Sequence, residues 1–169
     1  IIKNMSTINK NIDILFNPKT IAVIGASNEK GSVGFSLFAN LIKGRYKAKV
    51  YPVNIKRKKI QGKTAYKTIK DISGSIDLAI IAVPAKFVPA VAEECGQKGV
   101  KGLVIISAGF KEVGPDGAAL QLKVGEIAKQ YDMRVIGPNC LGFMNANVGL
   151  NASFASKTAL PGNIAFISQ

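Results

Sequence analysis

The sequence contains no histidine and only two cysteines, Cys95 and Cys140, among its 169 residues. Without an imidazole, the chain lacks both a common proton donor of reductases and the base that most often activates a cysteine nucleophile. Two cysteines are too few for a disulfide framework and are typical of a reducing compartment. We therefore expect a cytoplasmic protein with no histidine-based catalysis of its own.

Long apolar runs are also missing. No window approaches the ~18–20 uninterrupted apolar residues of a membrane span, and residues 1–19 lack the apolar stretch of a secretory signal. The composition, 47% hydrophobic and 20% charged, is that of an ordinary globular protein. The length predicts one domain with a sizeable core. The missing apolar runs predict no membrane partner.

Acidic residues are scarce: 10 Asp and Glu stand against 23 Lys and Arg, which gives a net charge of +13. The densest basic run is "KRKK" at residues 56–59. It has neither the interleaved aromatics nor a recognisable module of a nucleic-acid-binding protein, so we expect no nucleic-acid partner. A solvated basic face is the favoured interpretation, with Lys56 a candidate contact to a phosphorylated ligand.

Apolar runs alternate with helical patterns along most of the chain. The runs are near-continuous in Val, Ile and Ala, which indicates strands covered on both faces; they lie at 20–25, 49–53, 77–83, 101–106 and 133–136. Helical patterns lie between them, near 33–43, 86–98 and 117–131, with Asp116 a candidate cap of the third. This alternation predicts an α/β, Rossmann-like, doubly wound and mostly parallel sheet.

The segment "IAVIGASNEKGSVGF" (21–35) is a strand that runs into a glycine-rich turn and a helix. Its glycines, Gly25, Gly31 and Gly34, do not match the G-x-G-x-x-G dinucleotide fingerprint. The order Lys-Gly-Ser at 30–32 also reverses the lysine and glycine of a P-loop.

The same turn nevertheless has the chemistry of an anion site. The sequence Gly31-Ser32-Val33-Gly34 at a helix start brings backbone N–H groups close to a ligand, and Ser27 and Ser32 add hydroxyl groups. We expect Gly25 and these residues to bind a phosphate.

The residues at the end of the second strand narrow the choice of ligand. An NAD site places an acid there, but this chain has no acid in the run 53–57. It has Asn54 and Lys56 instead, and we take both as candidate cofactor-binding residues. A cation suits a ribose that carries its own phosphate, as in NADP or coenzyme A. The residues alone do not distinguish NADP from coenzyme A as the ligand.

Two further strand ends add candidates. Val83 and Pro84, in "AVPA", offer an apolar wall for an adenine or a pantetheine arm. The segment Ser107-Ala108-Gly109 places small residues where a ligand can approach the backbone. Both belong to the sheet edge that carries the glycine turn.

The sequence resembles the CoA-binding domain of the nucleoside-diphosphate-forming acyl-CoA synthetases, a superfamily that includes ADP-forming acetyl-CoA synthetases and the succinyl-CoA synthetase α subunit. The resemblance covers nearly everything from about Leu15 onward and rests on seven motifs: "IAVIGAS", "VYPVN", "VPAKFVP", "ECGQKGVKGLVIISAGFKE", "IGPNCLGF", "LNASFA" and "GNIAFISQ".

The resemblance implies bound CoA, with its phosphates at Ser27 and 31–34, Lys56 near the phosphorylated ribose, and the loops of Val83-Pro84 and Ser107-Ala108 beside the cofactor. Succinyl-CoA synthetase relatives carry Glu where this chain has Ala108, so any polar contact from that Glu is not expected here. The family reaction interconverts acyl-CoA, ADP and phosphate with acid, CoA and ATP.

That reaction passes through a phosphorylated histidine, which this sequence lacks. We therefore expect the phosphohistidine domain to follow and an ATP-grasp domain or subunit to be a partner. On this interpretation residues 1–19 are a lead-in, 20–162 the CoA-binding domain, and 163–169, a strand-like run, the start of a further domain.

Cys140, in "GPNCLG", lies beside Asn139 in a segment rich in Gly, Asn and Pro that we read as irregular loop with short extended pieces. With no base to activate the thiol, we expect Cys140 to be a packing residue and Asn139 to shape the loop or bind ligand. Alternatives to a ligase fragment are the CoA-binding domain of a protein acetyltransferase, a CoA- or nucleotide-sensing module, and an NADP-binding module.

Overall fold

Five parallel strands form the central sheet of the computed structural model, which describes residues 12–168. These strands are β1 (Thr20–Ile24), β2 (Lys49–Val53), β5 (Leu78–Ile81), β6 (Gly102–Ile105) and β7 (Arg134–Ile136). Their spatial order is β2-β1-β5-β6-β7, and every neighbouring pair is parallel. The chain therefore reverses its direction of travel across the sheet between β1 and β5, where doubly wound proteins bind ligands.

Successive residues of β1 enter opposite cores. Ile21 and Val23 pack into the cluster that contains Leu37 and Phe38, whereas Ala22 packs into the cluster on the other face. All five are fully buried. The near-continuous apolar runs thus reflect strands covered on both faces, and the predicted doubly wound α/β fold is confirmed.

Three helices cover the sheet, and all three were predicted from the helical patterns. They are α1 (Val33–Lys43) on one face, and α2 (Val88–Gln97) and α3 (Pro115–Gln130) on the other. The prediction that Asp116 caps α3 was wrong. Pro115 is the first residue of that helix, because its missing N–H costs nothing in the first turn. The residue before the helix is Gly114, with φ 109°, and Asp116 lies inside the first turn.

Two antiparallel hairpins lie outside the central sheet: β3 (Lys59–Ile60) with β4 (Lys63–Thr64), and β8 (Gly142–Asn145) with β9 (Leu150–Ser153). Three short 3-10 helices lie at Ile69–Asp71, Ala85–Phe87 and Lys111–Val113. The second hairpin contains the extended pieces expected after residue 137. It covers the α1 side of the sheet, where Leu150 and Ala152 are buried. The Asn40 side chain ties it to α1 by donating to the carbonyl oxygens of Ser153 (2.8 Å) and Ala155 (2.9 Å).

The last segment was expected to be a strand-like run that starts a further domain, and this domain assignment stays a prediction. Residues 164–168 form no strand, and Ile164, Phe166 and Ile167 are each at least 89% exposed. Alternation and apolar character alone do not make a strand without a neighbour to accept its backbone hydrogen bonds. Residues 1–11 of the expected lead-in, and Gln169, lie outside the described residues. Between residues 12 and 168, no helix is both long and apolar enough to cross a bilayer.

Candidate functional site

The carboxyl edge of the parallel sheet carries two neighbouring cavities, of about 470 Å³ and about 160 Å³. The loops that follow β1, β2, β5, β6 and β7 all open at this edge, because parallel strands end on the same side of a sheet. We call these the larger and the smaller cavity. Nine of the fourteen predicted site residues line one of the two.

Gly25 and Gly34 allow the glycine turn to pack against β5 and α1. Gly25 has φ 94°, and a β-carbon there would lie 2.3 Å from the carbonyl oxygen of Ala82. A β-carbon on Gly34 would lie 2.0 Å from the carbonyl oxygen of Gly25. Neither glycine lines the larger or the smaller cavity, so the structure gives both a packing role in the close approach of strand and helix.

Gly31 and Ser32 shape the start of α1. Gly31 is exposed with φ 87°. Ser32 caps the helix: its hydroxyl accepts from the N–H of Phe35 (3.2 Å) and donates to the carbonyl of Glu29 (2.8 Å). The proton of Ser32 that was expected to face a ligand is therefore already used.

The amides of Val33 and Gly34 are the open donors of this turn. A helix leaves its first N–H groups without intrahelical partners, and no hydrogen bond of the described residues involves these two. The Ser27 hydroxyl accepts from the N–H of Glu29 (3.0 Å) and retains its proton for donation. Together with the positive end of the α1 dipole, they form a set of donors suited to an anion.

The smaller cavity lies on one side of this turn and is polar. Its lining residues are Ser27, Asn28, Glu29, Asn54, Lys56 and Arg57. The structure thus brings Lys56 beside the glycine turn, as the spacing predicted, and adds a second cation from Arg57. Both side chains are exposed, and neither forms an ion pair within the described part of the chain.

Asn54 also lines the smaller cavity, and its side chain already makes three hydrogen bonds. Its Nδ2 donates to the carbonyl of Ala26 (2.9 Å), and its Oδ1 accepts from the N–H groups of Lys56 (2.9 Å) and Arg57 (3.0 Å). These bonds make Asn54 a residue that holds the loop, and they leave one Nδ2 proton without a recorded partner.

The larger cavity lies on the other side of the turn and is mainly apolar. Its lining residues are Val33, Ala82, Val83, Pro84, Ile106, Ser107, Ala108, Asn139, Cys140, Leu141 and Phe154. The Ser107 hydroxyl oxygen is buried and has no hydrogen-bond partner. A buried polar atom without a partner is unfavourable, so a ligand that binds here gains by pairing with it.

Asn139 and Cys140 form one wall of the larger cavity. Asn139 has φ 54°, and its N–H donates to the carbonyl of Ser107 (3.0 Å). The Cys140 thiol is half-buried and donates to the carbonyl of Ile105 (3.3 Å). Burial raises the pKa of the Cys140 thiol above its ordinary value, which is the opposite of what an activated nucleophile requires. The geometry favours packing for Cys140.

Gly109 lines neither cavity. It has φ 105°, and its N–H donates to Oε1 of Glu112 (2.7 Å). Hydrogen bonds from the backbone of Gly109, of Glu112 itself and of Phe110 lower the pKa of the Glu112 carboxyl. The amide of Gly109 is thus bound by a carboxylate of the same loop.

Sequence reasoning missed two polar residues that build the smaller cavity's surroundings, Asn28 and Gln61. Asn28 lines the cavity, and Gln61 donates from the β3–β4 hairpin to the glycine turn. The only signal in the sequence was the pair Gln-Gly at 61–62, a turn dipeptide after a basic run, which says nothing about what the side chain contacts. Arg57 and Glu29 were likewise not proposed.

Comparison with known proteins assigns the domain. A family model described as "CoA binding domain" matches residues 19–146. The chain is 53% identical over 158 residues to the α subunit of an ADP-forming acetate–CoA ligase II from Pyrococcus furiosus. The match covers 94% of this chain and 34% of that protein. The chain therefore spans about a third of the length of this relative.

Two solved structures resemble the fold closely. A crystal structure of a protein from Pyrococcus horikoshii has a TM-score of 0.87 and 54% identity, and covers 91% of this chain and 35% of the other. An acetyl-coenzyme A synthetase from Candidatus Korarchaeum cryptofilum, solved with phosphate and ADP, has a TM-score of 0.84 and 40% identity. This second match covers 90% of this chain and 32% of the other.

Proposed function

The chain belongs to the CoA-binding domain family, and from this premise we propose that it binds CoA along the carboxyl edge of the sheet as part of an ADP-forming acid–CoA ligase. One observation carries the placement of the ligand. The smaller basic cavity, the anion-binding turn and the larger apolar cavity follow one another along the edge. CoA has the same order: a phosphorylated ribose, a diphosphate and a pantetheine arm.

The residues divide among these three parts. Lys56, with Arg57, faces the ribose phosphate in the smaller cavity. The amides of Val33 and Gly34 and the Ser27 hydroxyl bind the diphosphate, which the α1 dipole also favours. The apolar walls of the larger cavity, made by Val83, Pro84, Ala108 and others, enclose the pantetheine arm, whose amides can pair with Ser107 and with Asn139.

The wider reaction belongs to the parent enzyme. The similar α subunit is named as an acetate–CoA ligase that forms ADP, and such an enzyme interconverts acyl-CoA, ADP and phosphate with acid, CoA and ATP. With no histidine in its 169 residues, this chain supplies no phosphohistidine. We propose that a phosphohistidine domain and an ATP-grasp domain or subunit complete the enzyme, and that this chain binds and orients CoA.

Calorimetric titration of the chain with CoA, 3′-dephospho-CoA and NADP tests the assignment. We expect CoA to bind about fivefold more tightly than dephospho-CoA, the scale of one exposed charge contact of about 1 kcal/mol. Lys56→Ala removes this preference. Lys49→Ala, an exposed lysine at the opposite end of β2, removes the same charge and preserves the preference.

Selective binding of NADP would contradict the proposal and favour a dinucleotide module. A second variant tests the larger cavity: Ala108→Trp places an indole in it, and we expect CoA binding to be lost. Ala119→Trp, on the exposed side of α3, is the matched control and leaves CoA binding unchanged. If Ala108→Trp binds CoA normally, the pantetheine arm does not lie in this cavity.

A further inference from the structure

The basic segment that follows β2 is fastened to the glycine turn at both of its ends. Residues 56–59 carry four consecutive cations, and the side-chain amides of Asn54, Asn28 and Gln61 connect this segment to residues 26–28 and to α1. We call these three side chains the amide clamp.

Asn54 holds the first end of the segment. Its Nδ2 donates to the carbonyl of Ala26, and its Oδ1 accepts the N–H groups of Lys56 and Arg57. The backbone at the first two cations is therefore fixed directly against the strand-to-helix turn.

Asn28 and Gln61 hold the second end. Asn28 Nδ2 donates to the carbonyl of Lys59 (3.0 Å), and Asn28 Oδ1 accepts from the N–H of Gln61 (2.7 Å). Gln61 Nε2 donates to the carbonyls of Ser27 (3.1 Å) and Phe35 (3.0 Å). One side chain thus bridges the hairpin, the glycine turn and the first turn of α1.

Gln61 occupies an unusual backbone position for its residue type. It has φ 44° and is followed by Gly62 with φ 81°, and a two-residue hairpin turn with both φ values positive strongly prefers Asn-Gly. Asn would suit the turn better, but its side chain is one methylene shorter than that of Gln. A residue held in a sparsely populated conformation points to a role for its side chain.

We propose that the amide clamp is a specificity device that fixes the spacing between two phosphate subsites, with Gln61 as its positioning residue. One subsite is formed by the amides of Val33 and Gly34, and the other by Lys56 and Arg57 in the smaller cavity. This inference rests on the proposed CoA site. Its physical basis is that a contact from an exposed lysine contributes little by itself, whereas preorganising the segment that carries it reduces the entropy lost on binding.

The clamp therefore changes the preference for CoA over dephospho-CoA, and not only the affinity for CoA. A ligand with phosphates at both subsites uses the fixed spacing, whereas a ligand with only the diphosphate does not. Loosening the segment lowers the affinity for CoA and leaves that for dephospho-CoA nearly unchanged. If Gln61 only stabilised the fold, its substitution would lower the apparent affinities for CoA and dephospho-CoA by the same factor, set by the fraction of unfolded chain.

The test is titration of Gln61→Asn with CoA and dephospho-CoA, alongside thermal unfolding of the ligand-free chain. Asn keeps an amide and suits the turn, so we expect the melting temperature to be maintained. It cannot reach both carbonyls, so the preference for CoA falls from about fivefold to below about twofold, since the charge contact of the expected size is lost.

Asn28→Ala provides a second variant at an exposed position, with the same expected loss of preference. In the double variant Lys56→Ala with Gln61→Asn, the preference is no lower than in Lys56→Ala alone, because both changes remove one coupled effect. A folded Gln61→Asn chain that retains the full CoA preference overturns the inference and leaves the CoA site intact. A wild-type chain without any preference overturns the clamp's role and the role of Lys56 together.

Discussion

The carbonyl oxygen of Gly25 lies 2.0 Å from the place that a β-carbon on Gly34 would occupy. The end of β1 and the first turn of α1 are thus in contact through main-chain atoms alone. This contact sets how the amides of residues 33 and 34 face the sheet edge, so the glycine at 34 serves the site through packing.

Gly34→Ala should therefore disturb both stability and ligand binding. The added methyl group meets a backbone oxygen that cannot move without shifting β1, and we expect a loss of about 1–3 kcal/mol in unfolding free energy. Gly125→Ala is the control, because a β-carbon at this exposed position of α3 meets nothing within 4 Å. It should raise stability by about 0.5–1 kcal/mol. Denaturant unfolding measures both, and equal effects would contradict the packing role of Gly34.

Ser107→Ala should maintain or raise the stability of the ligand-free chain and lower its affinity for CoA. The substitution removes a buried hydroxyl oxygen that has no partner, so we expect the ligand-free chain to be as stable as the wild type or more stable. CoA binding should weaken about fivefold, the scale of one hydrogen bond of about 1 kcal/mol. Thermal unfolding and calorimetry on the same preparation measure the two quantities. Unchanged CoA affinity would show that the hydroxyl does not contact the ligand.

Glu112 predicts a pH dependence of stability. Its pKa is lowered from 4.5 chiefly by hydrogen bonding to the backbone of Gly109, so the ionised carboxyl stabilises the folded state. This contribution is complete above the ordinary pKa of 4.5 and is lost as the pH falls through the lowered pKa of the folded state. We expect Glu112→Gln to lower the melting temperature at pH 7 and the difference from wild type to shrink in acid.

Melting curves from neutral to acid pH measure that difference. Glu126→Gln, an exposed carboxylate on α3 with no hydrogen bond in the described part of the chain, is the control and should show no such trend. A Glu112→Gln difference that stays constant with pH would mean that the charge of Glu112 is not what stabilises the loop.

Cys140 should react slowly with alkylating reagents at neutral pH. Burial raises the pKa of its thiol above 9.0, and only the thiolate is a nucleophile. We expect labelling by iodoacetamide, followed by mass spectrometry, to accelerate only in alkaline solution and to be suppressed by CoA, because Cys140 lines the larger cavity. Rapid labelling at neutral pH would instead indicate an activated cysteine.

The sheet was predictable because its strands are buried on both faces. Their apolar runs are unbroken, as in residues 78–81, and the turns between them contain glycine or proline. The hairpin at 59–64 was not predicted, because strands of two residues contain no periodic pattern. Residues 164–168 are the opposite case: they have an apolar pattern, but no neighbouring strand of this chain pairs with them.

The site was predictable where a residue type alone implied its chemistry. Lys56 was proposed because a cation at the end of the second strand is unlike an NAD site, and the structure places it in the smaller cavity. Gln61 and Asn28 escaped because their partners lie 26 to 34 residues away in the chain, and no local pattern encodes such contacts. The loop-holding hydrogen bonds of Asn54 were not foreseen either, and its contact with a ligand stays a prediction.

The walls of the larger cavity come from chain positions as far apart as Val33 and Phe154. Parallel strands pair only after long crossovers have closed, and such non-local contacts slow folding. The cavity is therefore incomplete until β7 and the β8–β9 hairpin have joined, and cofactor binding becomes a late event in the folding of the chain. A ligand that binds only the finished fold adds about 2.7 kcal/mol at a hundred times its dissociation constant. The stability of the finished fold would then rise with the concentration of free cofactor.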